Sequence, residues 1–259
     1  MARSPRRIST TRLARPPRTP GNRLLALLME ADFAALEPHL EPYPLKKGVT
    51  LLRPNVPVKY VYFVSEGLVS LVQLLENGKY TETGIIGREG MVGAMVPLGA
   101  SAFSHEAIVQ ISGMSLRMKA ETLRIEVALR PALRDLLLRY VQSLFSQVAQ
   151  SVVCNGQHTV RQRLARWLAM GADCVESDHL ALTHELLATM LGVRRSGVTE
   201  DLNVLKKAGF IAAEKGGVQV LDYRGLQNAA CECYGQVRSE FRRLLGPSVF
   251  QEKSSVPEK

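Results

Sequence analysis

Residues 183–211 read THELLATMLGVRRSGVTEDLNVLKKAGFI and contain two short helical patterns with a turn between them. In the first pattern, Leu186 and Met190 are four residues apart, as are Leu187 and Leu191, so all four lie on one side of a helix. The stretch therefore predicts a helix with a continuous apolar side, which can pack against the second helical pattern.

Gly192 follows the first pattern directly and can adopt the positive φ that a sharp turn needs. Val198, Leu202 and Leu205 then recur at i, i+4 and i+7, which predicts the buried side of a second helix beginning near Arg194. Polar side chains fall on its opposite side: Arg195, Ser196, Thr199, Glu200 and Asn203. The pattern is typical of a helix-turn-helix, whose second helix presents hydrogen-bonding groups to base edges in the major groove.

Any amphipathic helix pair with an intervening glycine has this pattern, so the flanking sequence has to decide. Phe210–Glu214 and Val218–Leu221 predict two strands around a basic turn, Lys215-Gly216-Gly217. Upstream, Val160–Met170 has the pattern of a third helix. Three helices and a hairpin predict a winged helix, in which Lys215 can reach the phosphate backbone of DNA.

The composition is that of a soluble globular protein, with 46% apolar residues in 259 and room for two domains. No apolar run approaches the roughly 20 residues that span a bilayer. The net charge of +9 is concentrated in residues 1–23, which hold seven arginines and no acid. This tail is rich in Pro and Arg and lacks the apolar segment of a secretion signal, so we expect it to be disordered and the protein to be cytoplasmic.

The four cysteines lie at positions 154, 174, 231 and 233 and show no paired CxxC spacing. Zinc and iron–sulfur sites use grouped thiolates, commonly with histidine or further cysteines. We therefore expect reduced cytosolic thiols, no metal and no cofactor, with a redox role for Cys231-x-Cys233 as the alternative.

The N-terminal half changes from helical to strand patterns. Residues 22–37 predict one helix, followed by the breakers Pro38, Pro42 and Pro44. Asn77-Gly78 is a strong hairpin signal. Short apolar segments predict strands at Val49–Leu52, Lys59–Val64, Leu68–Leu75, Lys79–Ile85, Ala107–Ile111 and Ser115–Met118. These segments predict an all-β barrel or jelly roll of about a hundred residues.

Between the two halves, the sequence predicts a short helix at Ala120–Ala128 and a long helix from Pro131 to about Asn155. Apolar and small residues recur in the long helix at the heptad spacing of a coiled-coil seam: Leu137, Val141, Leu144, Val148 and Ser151. The seam can pack on the β domain of its own chain or pair with a second copy, and we favour a homodimer. A dimer would place two recognition helices one duplex turn apart, over a palindromic site.

This order of domains resembles the Crp/Fnr family of bacterial transcription regulators over residues 22–225. The resemblance rests on LTHELLA (182–188), LGVRRSGVT (191–199) and LKKAGFI (205–211). The segments beginning CN at 154–155 and reading RLARWL at 163–168, CECY at 231–234 and GREGMVG at 87–93 look like one branch of this family.

The resemblance implies an α+β fold with an N-terminal β-roll, that is a cyclic-nucleotide-binding-like jelly roll, then a long central dimerisation helix and a C-terminal winged helix-turn-helix. The expected division is a disordered basic tail (1–21), the sensor β-roll (22–128), the dimerisation helix (129–156), the DNA-binding domain (157–225) and a C-terminal helix and tail (226–259). The implied partners are double-stranded DNA, a second copy and an effector that the sequence does not identify. RNA polymerase is a further candidate partner, and we expect no membrane contact.

The resemblance implies DNA-contacting roles for residues that match the family's DNA-contacting positions. Arg195 matches the arginine that donates to guanine, a role that suits its planar fork. Ser196 stands where cyclic-AMP-responsive members have Glu, and Glu200 where they have Arg, so we expect a different operator. The full set of expected DNA-contacting residues is Thr183, His184, Arg194, Arg195, Ser196, Thr199, Glu200, Asn203 and Lys215.

The sensory half departs from the family pattern. Cyclic-AMP-binding members use a Gly-Glu pair for the ribose and an Arg-Ser or Arg-Thr pair for the phosphate, and this chain has Gly93-Ala94 and His105-Glu106 there. Ala94 cannot accept a ribose hydroxyl, and Glu106 would repel a phosphate. We therefore expect no response to cyclic AMP and interpret His105 as an exposed loop residue. The N-terminal cysteine cluster of the oxygen-sensing branch is also missing.

The sequence as a whole predicts a homodimeric, sequence-specific DNA-binding regulator without enzymatic activity. One alternative is a regulator that binds a cyclic nucleotide or another small ligand through an altered pocket. A second is a cupin-type metalloenzyme fused to a DNA-binding module. Cupin sites need two closely spaced histidines, a glutamate and a later histidine, whereas the β region holds only His105.

Overall fold

The computed structural model describes residues 21–76, 78–99 and 101–250. The predicted basic tail lies outside the described residues except for Gly21, and so do the last nine residues and Asn77 of the predicted hairpin turn.

The N-terminal half is a roll of two four-stranded antiparallel sheets. One sheet has the order β1-β8-β3-β6 and the other β2-β7-β4-β5. The strands are β1 (Glu41–Leu45), β2 (Thr50–Leu52), β3 (Tyr60–Val64), β4 (Leu68–Leu74), β5 (Tyr80–Ile86), β6 (Met91–Val92), β7 (Glu106–Ile111) and β8 (Gly113–Lys119). Strands β3 and β4 are buried along almost their whole length, since one face lines the roll and helices cover much of the other.

Two predictions for the first part of the roll were wrong. Pro42 and Pro44, expected to be only breakers, lie within β1, which pairs with β8 at the edge of its sheet. An edge strand tolerates proline because the missing N–H can face away from the ladder. The single helix predicted for residues 22–37 is two helices, α1 (Arg23–Ala26) and α2 (Glu30–Leu36), separated at the extended Met29.

Three helices follow the roll: α3 (Ala120–Leu129), α4 (Pro131–Gln157) and α5 (Val160–Val175). The long helix α4 has 27 residues and spans about 40 Å. A capping box at Thr159 and Gln162 starts α5 immediately after α4 ends, so the chain changes direction there within two residues.

Only part of the predicted seam of α4 faces outward. Leu137 and Leu144 are buried inside the protomer, where α4 packs on β5 and on the C-terminal helix. Val141 and Val148 are half-buried and belong to an outward-facing heptad row, in which Phe145 and Val152 are 66% and 70% exposed. We call this row the exposed stripe, and it comprises Leu138, Val141, Phe145, Val148 and Val152.

The glycine-rich segment at residues 87–93 docks the roll onto α4. Tyr140 of α4 accepts a hydrogen bond from the Met91 backbone N–H, 3.0 Å away. Its hydroxyl lies over Gly90, where a Cβ atom would come within 2.1 Å of it. A side chain at Gly90 would therefore push the long helix off the roll.

The C-terminal half contains α6 (His184–Leu191), α7 (Arg195–Lys207), α8 (Tyr223–Ala229) and α9 (Cys233–Leu245). The predicted hairpin, β10 (Ile211–Glu214) and β11 (Gly217–Val220), gains a third strand, β9 (His179–Leu180). Within residues 226–259, where a C-terminal helix was expected, α9 returns to pack along α4. In the described part of the chain, none of the helices is long and apolar enough to cross a membrane.

Candidate functional site

The two helices of the predicted reading motif are held by the turn chemistry that the sequence indicates. The Thr183 hydroxyl caps α6 by accepting from the Leu186 N–H at 3.2 Å. Gly192 ends α6 with φ +66, and the Val193 N–H returns to the Ala188 carbonyl at 3.0 Å. Both ends of α6 are therefore hydrogen-bonded, and the turn at its C-terminal end leads directly into α7.

Helix α7 has the two faces that its spacing predicts. Val198, Leu202 and Leu205 are buried against the other helices, at 0%, 4% and 1% exposure. On the other face the expected DNA-contacting side chains are exposed: Arg194, Arg195, Ser196, Glu200 and Asn203. The start of α7 therefore displays donors and acceptors to solvent on a rigid support, which is the arrangement needed to read base edges.

His184 and Thr199 occupy a more protected position than the others. His184 Nδ1 lies 3.0 Å from Thr199 Oγ1, and that hydroxyl donates to the Arg195 carbonyl at 3.0 Å. Both residues are half-buried. Besides their expected contacts with DNA, they tie α6 to the first turn of α7.

Arg195 has one acidic neighbour. Its Nε lies 3.8 Å from Glu185 Oε2, and both side chains are more than two-thirds exposed. An exposed ion pair of this kind contributes about 0–1 kcal/mol. The guanidinium can therefore leave Glu185 for a base at little cost.

The wing projects a basic tip, as predicted. Lys215 is exposed in the two-residue loop between β10 and β11, where Gly216 takes φ +84. Next to Lys215, at the end of β10, Glu214 Oε2 lies 2.6 Å from His179 Nδ1 of β9. This side-chain contact connects the tip of the wing to β9, and Lys215 itself is exposed.

The roll holds a cavity of about 220 Å³ between β4, β5, the segment after β6 and α4. Its walls are mainly apolar and include Leu71, Ile86, Met91 and Leu144, and the exposed stripe contributes Phe145 and Val148. A ligand in this cavity would therefore contact two residues of the exposed stripe of α4 directly.

At the positions that match the ribose-binding and phosphate-binding pairs of cyclic-AMP-binding members, the structure fits the expectation for Ala94 but not for His105. Ala94 is 5% exposed and lines the cavity wall, where its methyl group offers no acceptor. His105 also lines the cavity and stacks on Phe103 at 5.4 Å, so the expectation of an exposed loop histidine was wrong. Burial lowers the pKa of His105, which keeps the ring neutral in this apolar environment.

A polar contact that the sequence analysis missed joins the two halves. Glu82 of β5 accepts from Trp167 Nε1 and Ser70 Oγ, both at 2.5 Å. Burial raises the pKa of Glu82 to about 7, although the two hydrogen bonds and Arg166 act against the rise. Its position between β5 and α5 depends on the tertiary fold, so no local sequence pattern identifies it.

A cluster at the C-terminal end of α4 was also not identified from the sequence. Cys154, Cys231 and Cys233, expected to be reduced thiols without a metal, lie together with His158, and their four ligand atoms are within 4.8 Å of one another. Of the groups of three or more such side chains in the described residues, this is the one that could hold a metal. The available signal was the C-x3-H spacing at the end of α4 combined with C-x-C.

Two family models match the chain. The cyclic nucleotide-binding domain matches residues 43–126, and the Crp-like helix-turn-helix domain matches residues 162–229. The first covers the roll and the start of α3, and the second covers α5 to α8. The predicted fold class, a β-roll, central helices and a C-terminal helix-turn-helix, is confirmed.

Similar proteins share this domain order. The global nitrogen regulator of Synechococcus elongatus is 24% identical over 215 residues, which cover 78% of this chain and 94% of the relative. The global nitrogen regulator of Nostoc sp. is 25% identical over 196 residues, covering 72% and 86%.

Solved structures show the same fold at lower identity. FixK2 from Bradyrhizobium japonicum superposes with a TM-score of 0.64 at 16% identity, covering 74% of this chain and 98% of that one. The c-di-GMP-responsive global regulator CLP from Xanthomonas campestris gives 0.60 at 15% identity, covering 73% and 98%.

Proposed function

Because this chain belongs to the Crp/Fnr family of transcription regulators, we propose that it reads a palindromic DNA site as a homodimer through α7. The observation that carries the proposal is the rigid, exposed polar face at the start of α7, with Lys215 of the wing also exposed. The face supplies base-reading groups, and the wing supplies a cation for the phosphate backbone.

The residue roles follow from this surface. Arg195 donates to a guanine, while Ser196, Glu200 and Asn203 read neighbouring bases. Thr183, His184, Arg194 and Lys215 position the domain on the backbone, and Thr199 reaches a base or a phosphate. Because Glu200 accepts hydrogen bonds and arginine donates them, the site differs from the operator of cyclic-AMP-responsive members.

The exposed stripe supports the homodimer. Phe145 and Val152 lie in one heptad row on a 27-residue helix, and such a row pairs with an identical row about a twofold axis. Dimerisation would bury this apolar surface and set the spacing of the two α7 helices. It would also bring the dimer contact next to the cavity, since Phe145 and Val148 belong to both.

The signal, in this proposal, is a small molecule other than a cyclic nucleotide. The cavity has an apolar lining with Ala94 at its wall, and Glu106 follows His105 at the start of β7. We further propose a cytoplasmic, non-enzymatic protein that works with RNA polymerase. The cupin alternative is not favoured, because strands β1 to β8, residues 41–119, span one histidine, His105.

Selection of bound fragments from a pool of random DNA tests the proposal. Purified chain should enrich an inverted repeat whose half-sites lie about 10 bp apart, centre to centre. The Arg195→Ala variant, selected in parallel, should lose the preference at one symmetric base pair. If the wild-type chain enriches no inverted repeat at any effector or salt condition, the proposed function is wrong.

A further inference from the structure

Four potential ligands meet where the long helix ends. Cys154 and His158 are one helical turn apart at the end of α4, so their side chains leave the same face. Cys231 and Cys233 lie on the turn between α8 and α9, and Cys233 is the first residue of α9. Two segments separated by more than 70 residues thus supply two ligands each.

The distances suit a single tetrahedral ion. Cys154 Sγ lies 3.4 Å from Cys231 Sγ, and Cys233 Sγ lies 3.5 Å from His158 Nδ1. Around zinc, Zn–S bonds of about 2.3 Å and Zn–N bonds of about 2.0 Å place tetrahedral ligand atoms about 3.5–3.8 Å apart. The largest separation in the group, at most 4.8 Å, needs to shorten by about 1 Å.

Other uses of three cysteines fit this geometry less well. A disulfide between Cys154 and Cys231 would place the sulfurs about 2.05 Å apart, and the four described cysteines are free thiols. An iron–sulfur cluster inserts several iron and sulfide atoms between its ligands, so it needs a wider ligand set than this compact one.

Neighbouring groups orient the ligands as they do in structural metal sites. His158 Nε2 lies 3.2 Å from Glu232 Oε1, which assigns the proton to Nε2 and leaves Nδ1, on the side of Cys233, free to bind. Gln150 Nε2 lies 3.0 Å from Cys233 Sγ and can donate to a thiolate. Carboxylate-to-histidine contacts of this kind fix the ring and make it a better ligand.

Buried positive charge accompanies the thiols. Arg163 and Arg166 of α5 are 9% and 8% exposed, and the Nε atom of each has no hydrogen-bond partner among the described residues. Arg166 acts electrostatically on Cys154 and Cys231, and Arg163 interacts with the same two residues. A divalent ion with three thiolates and a neutral imidazole carries a net charge of −1, which these arginines offset.

We propose that Cys154, His158, Cys231 and Cys233 bind one Zn²⁺ ion in a closed, structural site. The three cysteines are 0–3% exposed, so the ion has four protein ligands and no position for substrate. Binding releases three thiol protons to solvent and forms three Zn–S bonds and one Zn–N bond. Residues 159–230, which include the whole reading motif, form the loop that the ion closes. The site goes beyond DNA reading, since it fixes the reading domain to the end of α4.

Metal content of the full chain, purified without chelator, tests the proposal. We expect about one zinc per chain by elemental analysis. Cobalt added to metal-free protein should give the intense visible bands of tetrahedral thiolate coordination. The Cys233→Ser and Cys231→Ser variants should lose most of the zinc, whereas Cys174→Ala, which removes a buried thiol elsewhere, should retain it.

A further variant guards against loss of metal through misfolding. His158→Cys keeps four ligands, so it should still bind one cobalt per chain while its charge-transfer absorption increases with the fourth thiolate. Folded wild-type protein that contains no zinc and binds no cobalt would overturn the proposal. Acid-labile sulfide with several irons per chain would also overturn it, in favour of a cluster.

Discussion

The reading surface at the start of α7 and the cavity in the β-roll use opposite kinds of side chain. The reading surface displays Arg195, Glu200 and Asn203 to solvent on a helix that is buried on its other side. The cavity encloses apolar side chains and His105, whose pKa is lowered by burial. One region is polar and exposed to solvent, and the other is mainly apolar and enclosed.

A match to a family model does not by itself determine which side chains a site contains. The two family models match both halves of the chain, and in the helix-turn-helix half the polar residues at the start of α7 are exposed. The cavity lies in the half that the cyclic nucleotide-binding domain matches, and its lining includes Ala94 and His105 but no arginine among the described residues. In our proposal, the chain therefore combines DNA reading with a response to a ligand other than a cyclic nucleotide.

In the proposed dimer, the exposed stripe of α4 holds the two protomers together, and a charge there should have the largest effect of these changes. Val152→Asp would place two carboxylates in the dimer contact, and burying an unpaired charge costs several kcal/mol. We expect dimer dissociation to increase by at least about 100-fold, or about 3 kcal/mol, with palindromic DNA binding lost in parallel. Sedimentation over a range of protein concentrations measures this.

Val153→Asp is the matched control, because Val153 is 50% exposed and lies about 100° round the helix from Val152. It should leave the dimer nearly unchanged. Equal loss in the two variants would mean that the exposed stripe is not the contact.

On the reading surface, Arg195→Ala should weaken binding to the selected site by about 1–3 kcal/mol, or about 5- to 150-fold. The reason is the loss of a bidentate contact with one base. Fluorescence anisotropy with the selected site and with a scrambled duplex measures the effect. Glu185→Ala, which removes the ion-pair partner of Arg195, should change affinity by less than about twofold. An equal loss on scrambled DNA would show that Arg195 contacts only the backbone.

The reading motif could be predicted because its information is local. The spacing of Val198, Leu202 and Leu205 and the glycine at 192 determine one helix face and one turn, and the structure has both. The outward-facing row of α4 could not be assigned from the sequence. The pair Leu137 and Leu144 fits the heptad spacing as well as the pair Leu138 and Phe145 does. Packing against β5 and α9 decides which one is buried.

The same limit applies to sites assembled across the fold. The edge position that lets Pro42 and Pro44 lie in β1 depends on strand order. Glu82 meets Trp167 across 85 residues, and Cys154 meets Cys231 across 77. Such contacts can be identified only from the three-dimensional structure.

Glu82 lies between β5 and α5, and the pH dependence of stability should reveal its protonation state. Its pKa is about 7 in the folded chain and near 4.5 when exposed, so the folded state binds the proton more tightly. Its contribution is therefore fully favourable below about pH 4.5 and is lost as pH rises through about 7. Relative to Glu82→Gln, wild-type stability should fall by about 1–2 kcal/mol from pH 5 to 8, since Glu82 keeps some solvent contact.

Urea unfolding of wild type and Glu82→Gln across this pH range measures the difference in their free energies of unfolding. The contributions of the other titrating groups are the same in both proteins and cancel in this difference. Glutamine imitates the protonated carboxyl and can keep both hydrogen bonds. Glu76→Gln, at an exposed position after β4, should give curves parallel to wild type. If wild type and Glu82→Gln also stay parallel from pH 5 to 8, Glu82 is not protonated in the folded chain.

At the wing, Lys215→Ala should have a smaller and sequence-independent effect. Loss of one exposed phosphate contact should weaken binding to selected and scrambled DNA alike by about 0.5–1 kcal/mol. The slope of log affinity against log salt should become shallower by about 1. A loss confined to the selected site would instead give Lys215 a role in reading bases.

The smallest effect is expected at the cavity, where cyclic nucleotides should not bind. Ala94 offers no acceptor for a ribose hydroxyl, and Glu106 follows His105 where the family places its phosphate-binding pair. Arg88, the one arginine between positions 78 and 112 of the sequence, is paired with Glu176. Calorimetric titration with cyclic AMP and cyclic GMP should therefore give no saturation below about 1 mM. Ala94→Glu alone should not restore binding, because no cation is supplied for the phosphate. Micromolar binding of either nucleotide to the wild-type chain would mean that the cavity, like the reading surface, has kept its inherited role.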